Sequence, residues 1–279
     1  NPVWDQTETD SILRIDQTVW PALYAVQNTG AVRASFTCFG TIGELVPGRM
    51  TGWPGVAFES PVNSRHEYLF TAALWVGGII GDDTLVSTGI AGWTEVGHEY
   101  YPPLYPDTGS MEIIHNAGDL SIRAEFYDTV EQRVNFEQHI PLGLKCSMKS
   151  HAWNAPAYRD MILYDLVITN FEGNDIREAY VGIYLDGDVW VWWESHGYGD
   201  DLAGSIRDRG IGYIIDNDGD MRADDPDLRN LTKCVALKLV ASSQELADTN
   251  FNWWVNSALP ERDFGPRRLG TIDDPFRDF

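Results

Sequence analysis

Two hundred and seventy-nine residues are too many for a mini-protein and enough for one large domain or two modest ones, so a substantial hydrophobic core can form without covalent staples. A content of 43% hydrophobic and 12% aromatic residues excludes a disordered polymer. With 42 acidic against 20 basic groups the formal net charge is −22, and no local basic patch offsets it, so nucleic acid is excluded as a partner.

The acid excess is uneven: 27 Asp against 15 Glu, and 16 Arg against 4 Lys. Aspartate favours turns and metal loops over helix interiors, which suits a loop-rich protein with oxygen-donor cation sites; a generally solvated surface is the plainer alternative. There are 26 Gly and 14 Pro, a density of turn residues that leaves little room for long helices.

In chain order, an N-terminal arm (NPVWDQTETDSILRIDQ) precedes strand candidates in TVWPALYAV and GAVRASFTCF. Residues 68–81, YLFTAALWVGGIIG, are the most apolar stretch, but they fall short of the roughly twenty residues that span a bilayer as a helix. They read as a buried strand pair, so no membrane span is expected. GTIGEL and WVGGIIGDD lack the lysine and the strand–loop–helix context of a phosphate cradle and read as turns. DTLVST and SMEIIHN are further strands. In LSIRAEFYD, period-two alternation puts Leu120, Ile122, Ala124 and Phe126 on one face. VNFEQHI and GLKCSMKSHAWN follow.

The runs YRDMILYDLVITN and EAYVGIYLD alternate in the same way, with Ile162, Tyr164, Leu166 and Ile168 on one face of the first and Ala179, Val181, Ile183 and Leu185 on one face of the second. Glu172-Gly173-Asn174-Asp175 between them reads as the turn of a strand–turn–strand unit. GIGYIID and KCVALKLVA are the last strand candidates. One-turn helical pieces are expected near Ser242–Ala247 and in the final segment. The fold class is therefore all-β, an antiparallel β-sandwich with few short helices. The sandwich is expected over residues 1–260, with an optional division near 130, and 261–279 as a charged, Pro-rich surface tail or linker start.

Cys38, Cys146 and Cys234 form no CxxC pair, which excludes a zinc ribbon or dithiol motif; each lies in a strand-like run and is expected to be a buried free thiol. The six histidines show no HExxH spacing, and no GxSxG elbow presents a serine nucleophile, so no catalytic residue is assigned. Glu194, beside tryptophans, is the single weak candidate.

The sharpest constellation is acidic. Counting Asp216 as position one of a calcium loop, Asp218 and Asp220 take positions three and five, Arg222 offers its carbonyl at seven, Asp224 stands at nine and Asp227 at twelve. Calcium requires six to eight hard oxygens, and alternate residues of a tightly curled loop supply them; a solvated acidic turn is the alternative. The spacing resembles the loops of thrombospondin type 3 repeats and, more loosely, dockerin and EF-hand loops. Met221 stands where glycine is usual and Asp227 where an EF-hand has glutamate. With no helix pattern on either side, a structural Ca2+ clamp is expected and not a sensor.

A second acidic group, Asp186, Asp188, Asp200 and Asp201, frames VWVWWESHGYG. Trp190, Trp192 and Trp193 there form either a sugar-stacking platform or core filling.

Two stretches carry a wider resemblance. NSRHEYLFTAALWVGGIIGDDTLVSTGIAGWTEVGHEYYP, and YDLVITNFEGNDIREAYVGIYLDGDVW followed by GDDLAGSIRDRGIGYIIDNDGD, are similar to segments of large exported bacterial proteins that often end in a type IX secretion sorting domain. The resemblance implies an exported, β-rich domain, extracellular or at the cell surface, commonly without assigned activity. The expectation is a calcium-stabilised structural, adhesive or self-assembling protein. Its partners would be its own copies, other cell-surface proteins or glycans. The alternative is a carbohydrate-binding module or glycoside-active enzyme using Trp190–Glu194.

Overall fold

The computed structural model describes residues 23–43, 57–90, 99–103, 110–116, 119–129, 133–134, 137–191, 201–216, 233–243 and 251–252. The chain forms two compact units, one made of residues 1–65 with 69–186 and the other of residues 66–68 with 187–279.

The first unit is built from β1 (Tyr24–Gln27), β2 (Arg33–Thr37), β3 (Thr41–Gly43) and β4 (Phe58–Glu59), and, after β5 (His66–Glu67) of the second unit, β6 (Thr71–Ile80), β7 (Asp83–Thr88), β8 (Met111–Asn116) and β9 (Asp119–Tyr127). It continues with the short β10 (Arg133–Val134) and β11 (Glu137–Gln138), then β12 (Leu144–Trp153), β13 (Leu163–Asn170) and β14 (Ile176–Asp186). Among the described residues its strands pair antiparallel. One sheet runs β14–β6–β3–β2–β4, with β1 along β2 and β7 along β6; the other runs β13–β12–β9–β8.

The sheets form a sandwich because each strand alternates. Ala72, Leu74 and Val76 of β6 share one buried cluster with Leu120, Ile122, Ala124 and Phe126 of β9 and with Leu144, Cys146 and Met148 of β12. Phe36 and Tyr164 meet across the two sheets at 5.9 Å between ring centroids, and Gln27 donates from β1 to the Leu120 carbonyl of β9 at 3.0 Å. Each fully buried large side chain of this kind contributes about 1.5–3 kcal/mol. The all-β antiparallel sandwich expected from the alternation is the fold observed.

Two local expectations differ from the structure. Residues 68–81 do not make a strand pair: Thr71–Ile80 is one ten-residue strand, and the chain turns only at Gly81-Asp82 before β7. Gly77 and Gly78 stay extended between β7 and β14, and a Cβ on Gly78 would sit 2.6 Å from Ile176 Cγ2, so close strand packing is what glycine serves there. The 172–175 turn forms, with Gly173 at φ 75 and its N–H donating to Asn170 Oδ1 at 2.9 Å. It joins no hairpin, however: β13 pairs with β12 and β14 with β6, so the chain crosses from one sheet to the other. The crossing is tied down by Phe171 and Glu172 N–H groups, both donating to the Gly143 carbonyl.

In the second unit β15 (Trp190–Val191) pairs with β5, and β16 (Leu202–Ile206), β17 (Ile211–Ile215) and β18 (Cys234–Lys238) form a three-stranded sheet. A 3-10 turn at Arg207–Arg209 links β16 to β17. Cys38 and Cys146 are buried free thiols as expected, whereas Cys234 is exposed because it lies on the outer strand β18 of this thin sheet. Among the described residues no helix is long and apolar enough to cross a membrane. The expected helical piece at 242–247 and the tail at 261–279 lie wholly or mostly outside the described residues.

Candidate functional site

The acidic loop begins where β17 ends. Asp216 is buried, 3% exposed, and its N–H donates to the carbonyl of the equally buried Lys233 at 3.1 Å. This bond extends the β17–β18 ladder one step beyond the Ile215↔Cys234 pair, so Asp216 and Lys233, which bound residues 217–232 in the chain, are held side by side. Asp218, Asp220, Arg222, Asp224 and Asp227 lie outside the described residues. Among the described residues no cluster of three His, Cys, Asp or Glu side chains is arranged to hold a metal.

Of the expected aromatic platform, Trp190 is half-buried on β15, opposite Glu67 of β5; Trp192, Trp193 and Glu194 lie outside the described residues. Asp201 accepts the Val189 N–H at 2.8 Å, which fixes the approach to β15. In the first unit the outer face of β6 and β14 carries an aromatic pair that sequence reasoning passed over. Trp75 and Tyr184 stack with centroids 5.4 Å apart and planes 6° from parallel, and the Tyr184 hydroxyl donates to Asp186 at 3.2 Å. Burial raises the Asp186 carboxyl above its ordinary range, partly offset by that hydroxyl.

A denser polar constellation was also missed. Asp128 follows β9 and is fully buried. One carboxylate oxygen accepts from Ser87 Oγ at 2.7 Å and from Leu142 N–H at 2.9 Å, while the other accepts from Leu144 N–H. His139 places Nε2 3.1 Å from the Asp128 carbonyl oxygen and Nδ1 3.1 Å from Glu99 Oε1. Glu99 Oε2 in turn accepts the Thr88 N–H at 2.7 Å and its hydroxyl at 3.0 Å. The neighbouring Tyr100 hydroxyl donates to the Ser87 carbonyl at 3.1 Å. Burial lifts the Tyr100 phenol well above its usual value and pushes the Cys146 thiol up to about 12, with the Asp128 charge adding to both.

A serine, a histidine and two carboxylates gathered in this way invite comparison with a nucleophilic relay, but the roles do not match. Such a relay requires the hydroxyl to hydrogen-bond the imidazole and to face a reactant. Here Ser87 is buried and gives its proton to Asp128, and both ring nitrogens of His139 are occupied by other acceptors. The cluster binds strand ends to one another and presents no nucleophile.

One of its members was legible in advance. Asp128 takes the next inward position after Leu120, Ile122, Ala124 and Phe126, so the alternation of β9 alone aims its carboxylate into the core. No protein-family model, curated protein or solved structure matches the chain.

Proposed function

We propose that this chain is a secreted or cell-surface β-sandwich protein of structural, adhesive or self-assembling role, without catalytic activity, whose acidic loop is held in shape by Ca2+. The observation that carries the reading is the neck of that loop. Buried Asp216 and Lys233 close it by a main-chain hydrogen bond, so the carboxylates of Asp218, Asp220, Asp224 and Asp227 belong to a segment with both ends tied together. Like charges confined in that way repel until a divalent counter-ion neutralises them. Exposed apolar side chains in the second unit, Leu202 and Ile206 on one face of β16, supply a surface suited to contact with further copies.

The test is thermal unfolding with and without chelator. A ligand at a hundredfold excess over its Kd stabilises by about 2.7 kcal/mol, so chelation should lower the melting temperature by several degrees. Asp218→Asn combined with Asp220→Asn should make melting indifferent to chelator. A wild-type protein whose melting is the same in millimolar calcium and in chelator overturns the calcium clamp, and light scattering that shows only monomer at high concentration with calcium present removes the assembly role.

A glycan-binding role is the second reading, favoured by the coplanar Trp75–Tyr184 stack beside Asp186, because flat aromatic faces next to a carboxylate suit sugar C–H faces and hydroxyls. A glycan array of the wild type and of Trp75→Ala decides it: binding that Trp75→Ala loses supports the reading, and no binding by the wild type removes it.

A further inference from the structure

The Glu99–His139 pair sits where two excursions of the chain close. The first is bounded by Thr88 at the end of β7 and by Glu99, whose N–H donates to the Thr88 carbonyl at 2.9 Å while its carboxylate accepts from Thr88. The second leaves after Asp128 and carries the β10–β11 hairpin. It returns at His139, whose Nε2 reaches back to the Asp128 carbonyl. Each return residue thus seals the neck of its own loop, and the 3.1 Å contact between Glu99 and His139 joins the two necks.

The proton count at this contact follows from the partners. A neutral imidazole has one N–H and one lone pair. Nδ1 faces a carboxylate oxygen and Nε2 a carbonyl oxygen, both acceptors, and the His139 side chain is only 1% exposed, so water cannot relieve a lone pair aimed at either. Glu99 Oε2 already accepts two hydrogen bonds from Thr88, which leaves Oε1 as the acceptor that faces the ring. The arrangement is satisfied when the ring carries both protons.

We propose that Glu99 and His139 form a proton-dependent clasp: while the imidazole is doubly protonated it locks the necks of the two loops together, and loss of that proton uncouples them. The titratable groups facing the ring are the Glu99 and Asp128 carboxylates, with the Tyr100 phenol and Cys146 thiol packed beside these. Burial holds the phenol and thiol neutral well past neutrality, so the proton on which the clasp turns is the one held by His139. Burial works against its charge, but the Glu99 hydrogen bond and charge, with the Asp128 carbonyl and carboxylate, outweigh it and raise the affinity for the proton. A proton held more tightly by the folded than by the unfolded chain contributes stability in full below the unfolded histidine value. That contribution is lost as pH rises through the higher folded value.

The experiment is a nitrogen-detected NMR titration of His139 in the full chain, alongside amide exchange at Thr88, Leu142 and Leu144 corrected for intrinsic base catalysis. Expected are two protonated ring nitrogens at pH 6, a midpoint above 6.5, and loss of amide protection as pH passes that midpoint. In Glu99→Gln, which keeps the size of the side chain and removes the charge, the midpoint should fall and the pH-dependent step in protection should vanish. A singly protonated ring at pH 6, or a midpoint that Glu99→Gln leaves in place, overturns the proposal. Protection that stays constant through the wild-type midpoint refutes the clasp even where the ring is charged.

Discussion

Replacing Asp128 by asparagine changes one atom and leaves the shape of the side chain intact, which makes it the cleanest probe of the buried polar cluster. The carboxylate is an acceptor at both oxygens, and its three donors are Ser87 Oγ, Leu142 N–H and Leu144 N–H. An amide has one acceptor oxygen. If that oxygen keeps Ser87 and Leu142, the amide NH2 points at the Leu144 N–H; if it keeps Leu144, the NH2 points at the Leu142 N–H. Ser87 can rotate to accept, but a backbone N–H cannot. Either way one buried donor is left without a partner, at about 1–3 kcal/mol, and each surviving bond loses its charged acceptor, a difference of about 1 kcal/mol. Relief from burying an ionised group offsets part of this. The expected net loss is about 3 kcal/mol.

In a chain of this size each kcal/mol moves the melting temperature by about 2–4 °C, so Asp128→Asn should melt roughly 6–12 °C lower. Asp128→Ala strands all three donors and should cost more. Asp160→Asn, at a side chain 67% exposed, should stay within about 0.5 kcal/mol of wild type. Urea unfolding with an unchanged m-value is the assay. A loss below about 1 kcal/mol for Asp128→Asn, or a loss for Asp128→Ala no larger than that for Asp128→Asn, would show that the cluster is not held by the carboxylate and refute the reasoning.

Two glycines with nearly the same backbone conformation should respond differently to alanine. Gly30 (φ 83) would place a Cβ 2.5 Å from the Arg159 carbonyl oxygen and 2.6 Å from that of Trp153, both immovable backbone, whereas Gly173 (φ 75) has open space around it. Gly173→Ala should cost only the left-handed penalty of about 1–2 kcal/mol, and Gly30→Ala clearly more; equal losses in chemical denaturation would contradict the structural assignment. Tyr164→Phe should stabilise the protein by about 1 kcal/mol in the same assay, because the Tyr164 hydroxyl is buried without a hydrogen-bond partner among the described residues while its ring packs on Phe36. A destabilised Tyr164→Phe would mean that the hydroxyl has found a partner.

What could be read from the sequence is what neighbouring residues decide among themselves. The faces of β9, β12 and β13 are written in strict alternation, since a side chain that points inward on a pleated strand sets the direction of every second residue after it. The same rule carried one residue further places Asp128 in the core. The Glu172–Asp175 turn was legible for an equally local reason, a glycine in the left-handed region flanked by asparagines that hydrogen-bond the backbone.

Which strand each neighbour joins is a different kind of question. A turn chemistry that suits a hairpin suits a crossover equally, and β13 and β14 part company because β12 and the long β6 offer open edges in different sheets. Gly77 and Gly78 misled for the same reason: glycine marks a turn when the chain is free and a tight strand crossing when two neighbours press on it, and those neighbours, β7 and β14, are named nowhere in the local sequence. The Glu99–His139 contact is the extreme case. His139 read as one more strand residue in VNFEQHI, and nothing near it in sequence announces Glu99 as its partner. Its charge state is set by two acceptors that only the closure of separate loops brings to opposite sides of one ring. A histidine acquires this property from topology and not from its neighbours, so its proton reports directly on whether the two necks are closed.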